Sequence, residues 1–453
     1  MRRGLLLLAL CALAVQATGF YFAQGNPIPA GKATPSQTPR PAPSSERALQ
    51  PAPERYKLSA ERRQKAIAYS QARYVLYFAG VALSFGIYFL LWRGKIAVLF
   101  RQWVRQVSPR HFVQCLIFVP LFMAAVSLLE FALVYYSGFV LEHRFDLSTE
   151  SFASWLGDWG KSFALTTALR VFLIWILYLV IRHSPRRWWL YFWLVTLPIT
   201  LALILIQPVI ADPLFYKFTP LEKTQPELTT RIAEMLGRAG LEIPRSRIFE
   251  MDASSKTKTV NAYVTGIGAS KRVVVWDNTL KKLTPDETLL VVGHETGHYV
   301  LDHIPKEFVL IELVTLGFIF FGFIGAGRLI HHWGGRTGLE GVGDLASLPV
   351  LFLVLTALSF FASPLIGAIS RHYEHQADQY GLEVAYGVVP DPNASEARAL
   401  QVLGEEDLAD PDPNPFIKFW LYTHPPLDER IRFAKSYKPW VEGKPLEFVH
   451  TQK

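Results

Sequence analysis

The chain has 453 residues, of which 51% are apolar and 13% aromatic, and its mean hydropathy is positive. This composition is typical of a membrane protein and argues against a string of soluble domains. The formal net charge is +8, but basic residues gather at the ends of apolar runs and no nucleic-acid-binding motif is present. We therefore expect contact with a lipid bilayer and no nucleic-acid partner. Cys11 and Cys115 both lie in apolar runs, which argues against a disulfide framework and a thiolate zinc site.

The first residues predict either a signal peptide or a first transmembrane helix. Arg2 and Arg3 precede an apolar run at 5–15, and small residues follow it. The shortness of this run favours a signal peptide without excluding a membrane anchor. Residues 24–54 are rich in Pro, Ser, Ala and Gln, a composition that cannot bury a core, and they predict an extended linker.

Six later apolar runs are each long enough to cross about 30 Å of hydrocarbon as a helix. Tryptophan and tyrosine residues stand at the ends of several of these runs, as they do at membrane interfaces. The runs predict an integral membrane protein with several spans. The predicted spans are residues 74–92, 112–136, 165–181, 188–210, 308–330 and 346–369.

Two arginine-rich loops bear on the orientation of these spans. They lie at 93–110 and 182–187, and by the positive-inside rule both belong in the cytoplasm. Counting spans from there places residues 211–307 on the exoplasmic side. Residues 55–73 are basic as well, so the sequence leaves the orientation open.

From Asp212 onward the composition is that of a soluble α+β domain. An amphipathic pattern predicts a helix at 227–239, and short β-branched runs predict strands at 247–251, 261–265 and 272–276. Residues 388–415, rich in Pro, Asp and Glu, predict an acidic surface loop.

The best-defined motif is His-Glu-x-x-His at 294–298. Thr284 and Glu287 predict a helix that starts with a capping box, and on this helix His294 and His298 project from one face. Two imidazoles spaced in this way can bind one zinc ion, with Glu295 beside them. The alternative is a pair of surface histidines, but the flanking residues are apolar and predict a buried helix.

A catalytic zinc ion needs a third protein ligand. Two common positions for it are occupied by Ile304 and by the apolar neighbourhood of Phe318, so the ligand must come from elsewhere. Glu374 is the best candidate, because the predicted hairpin of two spans returns the chain toward the zinc helix. Asp378, one turn later, could accept the N–H of a ligand histidine. The alternative is that both acids only form a surface ion-pair network with Arg371.

Four motifs together resemble the type I CAAX prenyl proteases, which are integral-membrane zinc metalloproteases. They are His-Glu-x-x-His at 294–298, Glu374 to Asp378 after a membrane hairpin, Asn261-Ala262-Tyr263, and Thr423-His424-Pro425-Pro426. The resemblance covers about residues 55–440. It implies one Zn²⁺ per chain with Glu374 as third ligand and Asp378 as its partner. It also implies seven spans around a chamber, with residues 1–23 as the first span, and a cytosolic zinc domain in eukaryotic members.

The resemblance and the chemistry of zinc proteases assign roles to further residues. Glu295 would act as general base, and His424, or as second choice Arg430, would donate to the oxyanion. Asn261, Ala262 and Tyr263 would form an edge strand that pairs with an extended substrate, or else an ordinary core strand. The remaining histidines near membrane ends and polar loops are expected to be non-ligands. These are His303, His331, His332, His372 and His375.

The predicted fold is a mostly α, polytopic membrane protein with six to seven transmembrane helices and a zincin-like α+β catalytic domain. The predicted function is a zinc endopeptidase that cleaves peptide or protein substrates, lipidated ones among them. A membrane quality-control protease and a catalytically silent zinc scaffold are the alternatives, and Glu295 disfavours the scaffold because a structural site needs no base. The predicted regions are 1–23 (signal peptide or first span), 24–54 (linker), 55–211 (membrane domain), 212–307 (zinc-protease domain), 308–370 (membrane hairpin) and 371–453 (C-terminal catalytic part).

Overall fold

The structure is a computed structural model that describes residues 51–449. The predicted signal peptide or first span, and the linker up to residue 50, lie outside the described residues. The first half of the described chain is helical, and a π-helical turn follows α3 and another follows α6. Its helices are α1 (Ala60–Arg93), α2 (Ile96–Val107), α3 (His111–Tyr135), α4 (Leu141–Arg144), α5 (Phe152–His183) and α6 (Trp188–Ile206).

The second half combines a small sheet with helices, two of which are long. In chain order its elements are β1 (Phe218–Pro220), α7 (Pro226–Arg238), β2 (Ile248–Met251), β3 (Ala262–Thr265), β4 (Arg272–Trp276), α8 (Asp277–Lys282), α9 (Pro285–Val300), α10 (His303–Thr337), α11 (Leu348–Ala385), α12 (Pro392–Glu406), α13 (Pro415–Leu421) and α14 (Leu427–Ser436).

Six helical segments of the described chain are long and apolar enough to cross a membrane. Five of them contain a span predicted from the sequence, and the segment Trp188–Ile206 covers most of the predicted span 188–210, so a multi-pass membrane protein is confirmed. Helix α1 begins where the Ser59 side chain accepts a hydrogen bond from the Arg62 N–H, and it runs without interruption to Arg93. Stacked and edge-on aromatic rings, among them Tyr88, Phe122 and Phe352, fill the centre where α1, α3 and α11 meet.

The segment 93–110 was predicted as a loop, but most of it forms helix α2. Its inward face buries Ala97, Val98, Arg101 and Val104. The Arg101 guanidinium pairs with the buried Asp344 carboxylate between α10 and α11. The arginines in this segment suggested an exposed loop, whereas one of them is internal and fixes the helix in place.

The second half of the described chain is built on a four-stranded sheet with the order β1-β2-β4-β3. Strands β3 and β4 are antiparallel, β2 and β4 are parallel, and β3 is an edge strand. Helices α7 and α9 cover one face, where Ile232, Met235, Leu289 and Leu290 are buried with the strand residues. Each such side chain stabilises the fold by roughly 1.5–3 kcal/mol.

The prediction of an acidic surface loop at 388–415 is wrong. The structure has helix α12 in this region, with Asp391 as its N-cap and Pro392 in its first turn. Proline and aspartate here start a helix rather than mark a loop. One face of α12 is internal, where Ala397 and Leu400 pack against Tyr56. Burial raises the pKa of Glu396 on the same helix to about 7, and the nearby charge of Asp378 adds to this effect.

Candidate metal centre

Helix α9 begins with the predicted capping box. The Thr284 hydroxyl accepts from the Glu287 N–H at 3.3 Å, and the Glu287 carboxylate accepts from the Thr284 N–H at 2.9 Å. Two of the helix's first N–H groups are thereby satisfied inside the protein. His294 and His298 follow two and three turns later on one face, and both are buried.

Helices α9 and α11 come close together because glycines face each other. A Cβ atom on Gly381 would lie 3.0 Å from the His294 nitrogen, and one on Gly293 would lie 3.2 Å from Val384. Both separations are tighter than ordinary van der Waals contact, so a Cβ atom at either position would force its neighbours to shift, and the two backbones lie close together. This approach brings Glu374 and Asp378 on α11 beside the histidines of α9.

His294, His298 and Glu374 form a three-residue cluster suited to a metal ion, with their ligand atoms all within 4.8 Å of one another. The His294 Nε2 lies 3.4 Å from one Glu374 oxygen, and the His298 Nε2 lies 3.1 Å from the other. The two Nε2 atoms are 3.2 Å apart. All three nitrogen and oxygen donors therefore point at one small volume.

Glu374 supplies a test of whether this cluster fits a cation. Its side chain is 0% exposed, and neither carboxylate oxygen accepts a hydrogen bond from any residue in the described part of the chain. A buried carboxylate without donors is strongly unfavourable, unless a cation lies against it. Two imidazoles and one carboxylate with room for a fourth ligand form the donor set of catalytic zinc sites.

The Asp378 carboxylate connects His294 to a charged partner. The His294 Nδ1 lies 2.9 Å from Asp378 Oδ1, and the Arg430 guanidinium donates to both Asp378 oxygens at 2.5 and 2.9 Å. Burial lowers the pKa of His294, but the hydrogen bond to Asp378 and the negative charges of Asp378 and Glu374 outweigh it and raise the pKa to about 10. Burial also lowers the pKa of Arg430, and the charge of Asp378 more than offsets this, so Arg430 remains a cation.

The histidine His298 has a neutral partner that the sequence did not reveal. Its Nδ1 lies 3.0 Å from the Nδ1 of His303, whose Nε2 lies 3.1 Å from the Gln376 amide oxygen. Asp302 adopts a left-handed conformation (φ 56°) between α9 and α10, and this sharp turn folds His303 back onto His298. The expectation that His303 is not a ligand stays a prediction. Periodicity could not predict its contact with His298, because the turn lies at a non-glycine residue.

The proposed oxyanion donor lies at the cluster, and the proposed base is next to His294 in the sequence of α9. Glu295 is half-buried on α9 between the two histidines of the motif. The His424 Nε2 lies 3.3 Å from a Glu374 oxygen, and its side chain is 43% exposed. Its Nδ1 lies 3.0 Å from the Thr423 hydroxyl. His424 therefore stands at the open side of the cluster, where a substrate can reach it.

The three residues Asn261, Ala262 and Tyr263 lie at or just before the start of β3, the edge strand. The backbone of Asn261 is already bonded, since its N–H donates to the Thr279 hydroxyl and its carbonyl accepts from Trp276 and Thr279. Ala262 is buried, and the Tyr263 hydroxyl donates to Asp212 at 3.2 Å. Strand β3 packs against α9, so its outer edge runs beside the metal-binding helix.

A cavity of about 320 Å³ opens next to His424 and Arg430. Its other walls include Tyr74 and Tyr77 of α1 and Tyr422 before His424. The Tyr74 hydroxyl is shared between Asp410 and the Tyr422 hydroxyl, at 3.0 and 2.9 Å. A membrane helix thus forms part of the site, which no motif in the sequence indicated.

Comparisons with known proteins agree with this architecture. A family model described as peptidase family M48 matches residues 222–438, and one described as CAAX prenyl protease N-terminal, five membrane helices, matches residues 44–217. The crystal structure of S. mikatae Ste24p superposes with a TM-score of 0.71 at 24% identity, covering 96% of this chain and 98% of that chain. At this identity, the match shows a shared fold.

Two curated relatives cover most of the chain. The uncharacterized metalloprotease YhfN of Bacillus subtilis (strain 168) is 35% identical over 372 residues, which is 81% of this chain and 84% of that protein. CAAX prenyl protease 1 of Saccharomyces cerevisiae is 28% identical over 371 residues, 78% of this chain and 79% of the yeast protein. The chain therefore belongs to peptidase family M48 and is a multi-pass membrane metalloprotease related to the CAAX prenyl proteases.

Proposed function

We propose that the chain is a zinc-dependent endopeptidase in which His294, His298 and Glu374 hold the ion. The observation that carries this proposal is the buried Glu374 carboxylate, which faces two imidazole nitrogens and accepts no hydrogen bond from the described residues. A zinc ion bound there would supply Lewis-acid polarisation of the scissile carbonyl and would make water a stronger nucleophile at neutral pH.

Glu295 serves as the general base in this proposal. Its carboxylate takes a proton from the attacking water and later delivers it to the nitrogen of the leaving amine. The position next to His294 on the rigid helix α9 supports this role, because a base must stay within hydrogen-bond distance of the water throughout the reaction.

His424 donates to the oxyanion that forms on the substrate carbonyl. When the Thr423 hydroxyl donates to the His424 Nδ1, the ring must carry its proton on Nε2, the nitrogen that faces the cluster. Arg430 was the second choice for this role, but its guanidinium is bonded to Asp378. We assign Arg430 a positioning role instead, in which it keeps Asp378 ionised and oriented toward His294.

The substrate is a peptide or protein segment in extended form. The outer edge of β3 offers backbone groups to such a segment beside the metal cluster. Backbone pairing of this kind gives little selectivity for the side chains of the substrate. We assign residues 212–307 and 371–453 to one catalytic unit, with residues 55–211 and 308–370 as its membrane domain. The named relatives support CAAX-type, lipidated peptides as a substrate class, and a quality-control protease is the alternative.

The test compares farnesylated and unmodified peptides as substrates, with N-terminal sequencing of the products. We expect cleavage by the wild-type protein with about one zinc per chain. Glu295→Gln should retain the zinc and lose cleavage by at least about 10³-fold, as removal of a general base predicts. Glu234→Gln, an exposed change on α7, serves as the matched control and should cleave normally. Normal cleavage by Glu295→Gln would refute the mechanism, and equal cleavage of both peptides would favour the quality-control alternative.

A further inference from the structure

One end of the membrane domain lies far from the catalytic unit and is strongly basic. We name it the basic end and define it as residues 91–111, 181–188 and 328–347. Contacts join its parts, since the Trp92 indole donates to the Thr337 hydroxyl at 3.1 Å and Arg101 pairs with Asp344. The side chains of Tyr178 and Ser347, next to this end, are hydrogen-bonded at 2.9 Å.

The opposite ends of the same helices contact the catalytic unit. The Tyr56 N–H, just before α1, donates to Asp428 on α14. The Thr149 N–H, between α4 and α5, donates to the Lys256 carbonyl. After α6, Asp212 pairs with Arg272 of β4 at 3.1 Å. The basic end and the catalytic unit therefore lie on opposite sides of the span bundle.

The basic end holds the whole excess charge of the protein. It contains ten of the 46 Lys and Arg residues but only two of the 38 acidic residues, so the rest of the chain has 36 of each and no net charge. The two acids, Glu340 and Asp344, already pair with Arg105 and Arg101. The remaining basic residues are exposed. They are Arg93, Lys95, Arg110, Arg182, Arg186, Arg187, Arg328 and Arg336.

The second basic region, residues 55–65, does not compete with the basic end. It lies on the catalytic side, where the Arg62 guanidinium donates to the Glu405 carbonyl and pairs with Glu406 at 3.2 Å. The catalytic unit supplies further acids around it, among them Asp407 and Asp410. At least one of these positive charges, that of Arg62, is therefore balanced by the protein itself.

Helix α2 carries an apolar stripe on the outer face of the basic end. Leu99, Trp103 and Val107 are four residues apart, lie on one side of the helix and are 43%, 49% and 66% exposed. A helix with an exposed apolar stripe and adjacent basic residues is suited to the headgroup layer of a membrane, where tryptophan is favoured. In water, this stripe would be unfavourable.

We propose that the basic end binds the anionic lipid headgroups of the cytoplasmic leaflet, and that the catalytic unit consequently faces the exoplasmic side. Anionic headgroups match the eight cations that form no ion pair within residues 51–449, and the positive-inside rule places loops with this charge in the cytoplasm. The orientation is opposite to the one that the family resemblance implies for eukaryotic members. Substrates then present their cleavable segment outside the cytoplasm.

Cysteine labelling in intact cells tests this orientation without any assay of cleavage. In a chain with Cys11→Ala and Cys115→Ala, either Gln106→Cys in the basic end or Glu222→Cys in the catalytic unit is added; both positions are exposed. A membrane-impermeant maleimide should label Glu222→Cys equally in intact and permeabilised cells. It should label Gln106→Cys only after permeabilisation. The reverse pattern, or labelling of both positions in intact cells, overturns the proposal.

Removing positive charges from the basic end tests whether these charges set the orientation. Lys95, Arg110, Arg186 and Arg187 changed together to Gln should make Gln106→Cys partly accessible in intact cells, because the orientation signal is weakened. The matched control changes four exposed basic residues of the catalytic unit, Lys223, Arg238, Arg245 and Lys444, to Gln. It should leave the labelling unchanged. Equal labelling patterns for the two quadruple variants would show that the basic end does not set the orientation.

A direct test of lipid contact uses a polarity-sensitive fluorophore on Trp103→Cys in the same cysteine-free chain. In nanodiscs of phosphatidylcholine with phosphatidylglycerol, its emission should shift to shorter wavelength relative to phosphatidylcholine alone. The same fluorophore on Glu222→Cys should show no shift. If the two lipid compositions give the same emission at position 103, the proposed headgroup contact is wrong.

Discussion

The two histidines of α9 both direct their Nε2 atoms toward Glu374, but their Nδ1 atoms contact different kinds of partner. His294 is backed by an ionised pair, Asp378 with Arg430, whereas His298 is backed by two neutral groups, His303 and Gln376. A carboxylate raises the basicity of the imidazole and fixes its tautomer, while a neutral acceptor only fixes the tautomer. The His294 side should therefore contribute affinity for the ion, and the His298 side should mainly contribute geometry.

The largest effect is expected for Asp378→Asn, which removes the charge behind His294. Zinc affinity should fall about 100-fold, because the ligand loses its ionised partner. The buried Arg430 would also lose its counter-charge, at a cost of about 3–5 kcal/mol in the free energy of unfolding. Chelator competition and denaturant unfolding measure the two effects. Asp412→Asn, at an exposed position, is the control, and affinity unchanged from wild type would contradict a role for Asp378.

An intermediate effect is expected for His303→Leu, which removes the neutral acceptor behind His298. A buried N–H on His298 would then lack a partner, which costs about 1–3 kcal/mol. Zinc affinity should fall about tenfold, less than for Asp378→Asn. The same chelator competition measures this difference, with the exposed His331→Leu as control. Losses of equal size for the two sides would mean that the charge of Asp378 contributes nothing.

The smallest effect is expected for Gln376→Glu, which gives the His298 side a carboxylate. The new charge would act through the His303 ring, so it should raise zinc affinity at neutral pH by only about two- to threefold. Isothermal titration with a competing chelator resolves a change of this size. A fall in affinity would indicate that the neutral character of this side is itself required.

The candidate metal-binding cluster could be predicted in part because its chemistry depends on short-range spacing. His294, Glu295 and His298 follow from the helical repeat, and Glu374 follows from a hairpin that must return to its origin. The edge position of β3 and the six spans were likewise contained in local patterns.

The residues that were not predicted depend on tertiary contacts. His303 reaches His298 only through the left-handed turn at Asp302, and α12 is stable because its apolar face meets Tyr56 and α14. Arg430 was named from the sequence as a possible oxyanion donor, but its burial against Asp378 was not predicted. The partners of α12 and of Arg430 are distant in the sequence, and no sequence window contains them.

The turn at Asp302 also determines how far the metal cluster lies from the apolar run of α10. Helix α10 starts at His303, and its apolar run begins at Phe308, five residues on, or about 7 Å at 1.5 Å per residue. In the proposed function, the bond to be cut must reach a cluster whose His298 contacts His303, close to the start of this apolar run. The distance of a peptide bond from the bilayer would therefore decide whether it is cleaved. Loops of a folded protein that lie farther from the bilayer would not be cleaved, whatever their sequence.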